Sequence, residues 1–105
     1  MPKPKSVCLE AEEIAGKARA RDYGHPLDNH ERIARIWSVI LNVEVTAEQV
    51  ALCMIGTKLA REVHRPKRDN LVDLCGYAKC LEMIHEKRRQ AGINPEIRCS
   101  HRHMA

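Results

Sequence analysis

The chain has 105 residues, a length that corresponds to one domain able to bury a core without disulfides or metals. Apolar residues make up 44% of it but aromatic residues only 3%, with no phenylalanine, so the core must be aliphatic. Such a composition favours helices over sheets, which draw on aromatic and β-branched side chains. Length and composition therefore predict a single, all-α domain.

The net charge of +4 describes the two ends of the chain and not its body. Residues 7–84 hold eleven Lys or Arg and twelve Asp or Glu, so this body is close to neutral. The basic excess comes from Lys3, Lys5 and the segment 85–105. Basic ends are either simply solvated or contact nucleic acid or an acidic partner.

The sequence predicts a cytoplasmic protein that makes no use of a membrane. No apolar run approaches the length of a membrane span, and the first residues lack a hydrophobic leader. The five cysteines are an odd number, as expected for free thiols in a reducing compartment.

Apolar residues recur at helical spacing in four segments, which short polar connections join. Ser6 is placed to cap the first helix, and Asp28 with Glu31 forms a capping box for the second. Thr46 with Gln49 forms another for the third. The four predicted helices cover about residues 7–21, 28–41, 47–63 and 70–90. We expect a compact four-helix domain over residues 7–90, with a flexible N-terminal segment 1–6 and a C-terminal tail 91–105.

The third predicted helix is apolar nearly all round, which predicts that it is the central and most buried helix. A small helical core has limited means of covering such a helix. The sequence therefore also predicts that the protein forms a homo-oligomer.

The densest polar cluster spans the connection between the third and fourth helices. Lys58 and Arg61 lie one turn apart, and Asp69 and Asp73 lie one turn apart at the start of the next helix, where Asp69 or Asn70 is the expected cap. One interpretation is a salt-bridge network that closes the hairpin, with Lys58 and Asp73 as partners. The other is a pocket in which the cations hold phosphate and the two aspartates hold Mg²⁺ or a ribose hydroxyl. The candidate ligand residues of this cluster are Lys58, Arg61, Asp69, Asn70, Asp73 and Tyr77.

A second candidate site is the turn between the first and second helices. It places basic, aromatic and imidazole side chains beside a helix N-terminus, where backbone N–H groups can bind an anion. The alternative is a well-formed turn with no ligand. Its function depends on whether it packs near Lys58 and Arg61. The candidate residues are Arg21, Tyr23, Gly24, His25 and Asn29, with His30 beside them.

A third candidate site lies near the C-terminus, where Cys99, His101 and His103 alternate with other residues. Cysteine and histidine bind zinc, but a structural zinc site needs four ligands, which normally come from two separated pairs. The sequence offers no second pair, so we interpret this segment as a tail and not as a metal site.

The combined pattern resembles a family of small helical proteins from phages and prophages, which are usually labelled as domains of unknown function. The pattern is Arg-x-Tyr-Gly-x-Pro at 21–26, Lys-x-x-Arg at 58–61 and Asp-Asn-x-x-Asp-x-x-Gly-Tyr at 69–77. The similarity covers about residues 10–85. If the chain is phage-encoded, as this resemblance implies, its compartment is the host cytoplasm.

More distantly, the layout is similar to the all-α nucleotide pyrophosphohydrolases of the MazG type, which hold Mg²⁺ with a Glu-Glu-x-x-Glu helix and a Glu-x-x-Asp motif. Glu10, Glu12 and Glu13 match the first motif loosely, and Asn70 stands where the second motif has glutamate, before Asp73. This resemblance implies a helical nucleotide pocket, with Mg²⁺ only if the protein is a hydrolase. The scarcity of carboxylates at metal-ligand spacing favours binding over hydrolysis.

Three functional hypotheses follow from the sequence. The first is a phage-type helical protein that binds a nucleotide or another phosphate ligand. The second is a non-enzymatic phage–host interaction protein, which blocks a host factor or sequesters a nucleotide signal. The third is a nucleic-acid-binding accessory protein that uses its basic ends.

Overall fold

The computed structural model describes residues 5–92, and this part of the chain contains helices and no strands. The predicted all-α fold is confirmed, since the described part forms four helical segments in the predicted order. The first segment is continuous and has three parts: α1 (Val7–Glu13), a π-helical turn (Ile14–Ala18) and α2 (Arg19–Tyr23). The others are α3 (Pro26–Leu41), α4 (Ala47–His64) and α5 (Arg68–Gln90).

The predicted caps at two helix starts are confirmed. The Ser6 side chain accepts a hydrogen bond from the Leu9 N–H at the start of α1. At the start of α4, the Thr46 hydroxyl accepts from the Gln49 N–H, and the Gln49 side chain accepts from the Thr46 N–H. Both donors would otherwise be unsatisfied in the first helical turn.

The second helix begins two residues earlier than predicted, and the predicted cap at Asp28 is wrong. Pro26 is the first residue of α3, and the His25 ring nitrogen caps the helix by accepting from the Leu27 N–H at 3.0 Å. Proline suits this position because its φ is already helical and its missing N–H would have no partner there. His25 is extended, as a residue before proline must be.

The predicted cap of the fourth helix is also wrong. Helix α5 begins at Arg68, and its cap residue Lys67 makes no side-chain capping bond. Asn70 is buried inside the first turn and donates to Glu62 Oε1 at 3.1 Å. The same oxygen accepts from the Lys67 N–H at 3.0 Å. Glu62 therefore holds the connection from the preceding helix, and this replaces a local cap.

Helix α5, and not α4, is the central helix. It contacts α1, the π turn, α3 and α4. The prediction that α4 is the most buried helix is wrong, because its buried residues are confined to its first part, at Ala47, Val50 and Ala51. Leu59 and Val63 are 52% and 88% exposed. The apolar sequence of α4 thus supplies one face to the core and a second face to the surface.

Helices α3, α4 and α5 meet at a buried ion-pair cluster around Arg88. The Arg88 side chain is only 10% exposed, and its Nε donates to Glu48 Oε2 at 2.7 Å. Its Nη2 lies 3.5 Å from Glu31 Oε1. Because each helix contributes one charged group, this cluster fixes the three helices to one another at the end of the bundle where α5 finishes.

The first segment is attached to α5 along its outer edge. Glu10 pairs with Arg68, and Lys79 Nζ lies 3.6 Å from Glu12 Oε1. The Sγ atoms of Cys8 and Cys75 are 3.6 Å apart, as two thiols in contact. No helix among residues 5–92 has both the length and the apolar character needed to cross a membrane.

Candidate ligand-binding cavity

A cavity of about 230 Å³ lies where the first segment, α3, α4 and α5 converge. Its walls combine an apolar lining with several polar side chains, which is the usual character of a small-molecule site. The polar residues that line it are Arg19, Tyr23, Asn29, His30, Lys58, Asp73 and Tyr77. The two candidate sites of the sequence, the turn after the first helix and the Lys58 cluster, therefore contribute to the same cavity.

Trp37 forms part of the apolar wall, together with Ile33, Met54 and Val72. It is half-buried and lies against open volume. Gly76 lies on the α5 side of the cavity, and no atom would come within 4 Å of a Cβ atom at this position. The lining of the cavity therefore includes an aromatic ring and a glycine with open space around it.

The predicted pairing of Lys58 with Asp73 is confirmed. Lys58 Nζ lies 3.0 Å from Asp73 Oδ2, and the side chains are 13% and 36% exposed. The ammonium group is thus largely withdrawn from water, and the carboxylate compensates its charge. Since the pair is neutral as a unit, Lys58 contributes less to binding a phosphate than an unpaired lysine would.

His30 lines the cavity and is held in place by the backbone of α3. This residue is 4% exposed, and its Nδ1 lies 2.8 Å from the Pro26 carbonyl oxygen. A carbonyl can only accept, so Nδ1 must carry the hydrogen of this bond, and Nε2 is the ring atom left for another partner. The ring of Tyr77 packs edge-on against the imidazole, with the centroids 6.4 Å apart. The histidine is therefore fixed in orientation.

Arg19 and Tyr23 lie where the first segment reaches the cavity. The guanidinium carbon is 6.0 Å from the centre of the tyrosine ring, at the limit of a cation–π contact. Tyr23 is 54% exposed, and Gly24 follows with a φ of 82°, a left-handed conformation that favours glycine. The π turn lies immediately before Arg19, and such turns often occur at functional sites.

Cys80 completes the α5 wall of the cavity. Burial raises the pKa of its thiol above the ordinary value, and the charge of Arg19 opposes that shift only in part. The thiol is therefore protonated at neutral pH and behaves as a small apolar group.

Five predicted site residues lie outside the cavity lining. His25 caps α3, and Asn70 donates both to Glu62 and, at 3.5 Å, to the Arg65 carbonyl oxygen. Both therefore hold the backbone in place. The other three are exposed at the surface, namely Arg21, Arg61 and Asp69. Within residues 5–92 there is no group of three or more His, Cys, Asp or Glu side chains placed to hold a metal ion.

Arg19 and His30 line the cavity, but the sequence alone gives little indication of this. For Arg19, the only signal in the sequence is that it precedes Tyr23 by one helical turn. For His30, the sequence shows only a neighbour of Asn29, because the burial of His30 depends on contact with α5. Cys99, His101 and His103 lie outside the described residues, as do Lys3 and the basic residues of the segment 93–105.

The sequence profile of DUF6378, a domain of unknown function, matches residues 6–85. The chain is 46% identical over 81 residues to the Gene 55 protein of Mycobacterium phage L5, an alignment that covers 75% of this chain and 52% of that relative. It is 37% identical over 84 residues to the Gene 55 protein of Mycobacterium phage D29, covering 79% and 56%. The chain thus spans about half the length of these curated relatives. No solved structure matches it.

Proposed function

We propose that this chain, which belongs to the DUF6378 family and has phage-encoded relatives, binds a nucleotide in its interhelical cavity without hydrolysing it. One observation carries the proposal. The turn at Tyr23 and Gly24 lines the same cavity as Lys58, Asp73 and Tyr77. Two candidate sites that are separate in sequence therefore supply one binding surface.

The dimensions and walls of the cavity suit a planar base better than a phosphate chain. Its volume of about 230 Å³ is below the roughly 300–1,000 Å³ of drug-sized pockets, so it accommodates only part of a nucleotide. Trp37 and Tyr77 offer aromatic surface. His30 Nε2 is left for a further hydrogen bond, and the Asn29 amide both donates and accepts. These groups match the exocyclic amino and carbonyl groups of a base.

The sugar and phosphates would lie toward Asp73 and Arg19. The Asp73 carboxylate keeps acceptor capacity beyond its bond to Lys58, which suits a ribose hydroxyl. The Arg19 guanidinium is exposed and is suited to bind phosphate oxygens in a forked geometry. Arg21 and Arg61, which the sequence suggested as phosphate ligands, are both outside the lining, so Arg19 takes that role in the proposal.

Binding without hydrolysis follows from the carboxylates. Asp73 is the one acidic side chain in the lining, and Lys58 already pairs with it. A magnesium-dependent phosphate hydrolase uses several carboxylates to hold its ions. The distant resemblance to all-α pyrophosphohydrolases enters this proposal only as a helical nucleotide pocket. A protein that binds without turnover acts by sequestering or sensing its ligand in the host cytoplasm.

A thermal-shift screen of mono-, di- and cyclic nucleotides, with and without Mg²⁺, tests the proposal. A ligand at one hundred times its Kd stabilises the folded state by about 2.7 kcal/mol, which raises the Tm of a domain of this size by roughly 10 °C or more. We expect such a shift with at least one nucleotide, independent of Mg²⁺, and no product on prolonged incubation. No shift with any nucleotide would remove the support for binding.

Two glycine variants make the screen specific for the cavity. Gly76→Leu places a side chain in the open volume and should abolish the shift. Gly56→Leu is the matched control, since Gly56 is also a helical glycine with open space around its Cβ position but is exposed and outside the lining. Equal shifts in both variants would place the ligand elsewhere. Turnover that Asp73→Ala abolishes would instead identify an enzyme.

A further inference from the structure

The outer side of the α4–α5 hairpin carries a continuous apolar surface. The two helices run antiparallel, as the contacts of Lys58 with Asp73 and of Glu62 with Asn70 show. On α4, the exposed apolar residues lie seven and four residues apart, on the side turned away from Met54 and Lys58. On α5, exposed or half-buried leucines lie three and seven residues apart, away from Gly76. We call this surface the hairpin face and define it by Leu52, Leu59, Val63, Leu71, Leu74 and Leu81.

We infer that the hairpin face binds a second copy of this chain, so that two hairpins form a four-helix bundle across a two-fold axis. Leu52 and Leu59 are 53% and 52% exposed, and Val63 is 88% exposed. Helix α4 has 18 residues, so two adjacent helices about 10 Å apart and about 25 Å long present a surface of roughly 500 Å². The six defining residues occupy about 16 Å of that length, so the apolar patch covers roughly 300 Å², a size that is often functional on a monomer. With its polar rim included, pairing two such surfaces reaches the roughly 1,000 Å² of a biological interface.

The small core of the monomer indicates that the partner is another copy of the chain. Among the described residues, the buried apolar side chains are five alanines with Val50, Val72 and Ile84. Only Val50 and Ile84 are large and fully buried. A core of this kind gives marginal stability, and covering the hairpin face adds burial. A second copy is available wherever the chain folds. If the partner were a different protein, the chain would be only marginally stable until the two proteins met.

Self-association also requires no charge complementarity at the centre of the face, whose six defining side chains are all aliphatic. An apolar, two-fold interface places the same patch on both copies. The cavity opens on the other side of the hairpin, because Met54, Lys58 and Gly76 line it. Dimerisation through the hairpin face therefore leaves the cavity accessible.

A second exposed apolar cluster provides the matched control. It lies around the end of α3 and the connection that follows, where Ile36, Val39 and Ile40 are 60%, 82% and 72% exposed and Leu41 and Val43 are each 59% exposed. This cluster belongs to one helix end, whereas the hairpin face runs along two adjacent helices. Val39→Lys and Val63→Lys introduce the same charge at positions of nearly equal exposure on different surfaces.

The test is sedimentation equilibrium of the full chain under reducing conditions. We expect a mass of twice 12.0 kDa for the wild type. Val63→Lys and Leu59→Lys should each weaken the dimer at least about 100-fold, while Val39→Lys should leave its Kd within about threefold. A monomeric wild type, or a dimer that only Val39→Lys disrupts, would overturn the inference.

A second measurement decides the case in which the hairpin variants fail to fold. The Tm of a wild-type dimer rises with protein concentration by mass action, whereas the Tm of a monomer does not. We expect an increase of several degrees over a 100-fold range of concentration, and the same increase for Val39→Lys. A Tm that is independent of concentration would overturn the inference.

Discussion

Replacing Asp73 by asparagine tests how much the Lys58–Asp73 ion pair in the cavity wall stabilises the fold. Breaking a fully buried ion pair costs about 3–5 kcal/mol, because one charge stays behind uncompensated, and breaking an exposed pair costs less than about 1 kcal/mol. Lys58 is 13% exposed and Asp73 36%, so this pair lies between the two cases. We expect Asp73→Asn to lower the free energy of unfolding by about 2 kcal/mol and the Tm by roughly 10 °C.

Lys58→Met should cost less, about 0–1 kcal/mol. Methionine keeps an apolar stem in the place of the lysine methylenes, and the better-exposed Asp73 carboxylate can regain water. The double variant then gives a coupling energy of about 1–1.5 kcal/mol. Urea denaturation followed by circular dichroism, at one fixed protein concentration, measures all four proteins. A coupling below about 0.3 kcal/mol would refute the reasoning.

Three further predictions concern other parts of the molecule. Arg88→Met removes the guanidinium that Glu48 and Glu31 share and should lower the free energy of unfolding, measured by urea denaturation, by about 3 kcal/mol. A loss of less than about 1 kcal/mol would show that the fold does not depend on this cluster. Gly24→Ala should lower the free energy of unfolding by about 1 kcal/mol, because alanine is strained at the φ of 82° that Gly24 adopts. An unchanged Tm would show that the turn relaxes to relieve this strain. Iodoacetamide at pH 8 should modify exposed Cys53 at least about tenfold faster than Cys80, because burial raises the pKa of the Cys80 thiol. A bound nucleotide should slow the modification of Cys80 further, and equal rates for the two cysteines would contradict the prediction.

The four helices were predictable because their signals are local. Helical spacing of apolar residues, the serine cap at Ser6 and the capping box at Thr46 each depend on a few neighbouring residues. The cap at Asp28 failed because two local signals competed. Pro26 and His25 form an equally good helix start two residues earlier, and proline at the first helical position prevailed.

The burial of α4 could not be predicted from periodicity. An apolar face shows that a surface needs covering, but it does not show whether the same chain covers it. Leu59 and Val63 belong to a face that no other described helix covers. The sequence was therefore informative about the apolar character of the helix and uninformative about its neighbours.

The candidate site was predictable in part, for a similar reason. The Lys58–Asp73 pair follows from two helices joined by a short connection, which must be antiparallel neighbours. The approach of Tyr23 and Arg19 to that pair depends on how the first segment packs against α5, across more than 50 residues of chain. No local pattern specifies such a contact, and the π turn that precedes Arg19 has no sequence signature of its own.

Trp37 provides the most direct measurement of the central claim, that the cavity binds a nucleotide. It is the only tryptophan in the chain and it lines the cavity, so its fluorescence reports occupancy at that position. We expect a saturable change on nucleotide titration that matches the Kd from the thermal shift and is absent in Gly76→Leu. A ligand that raises the Tm but leaves Trp37 fluorescence unchanged in the wild type would contradict the account.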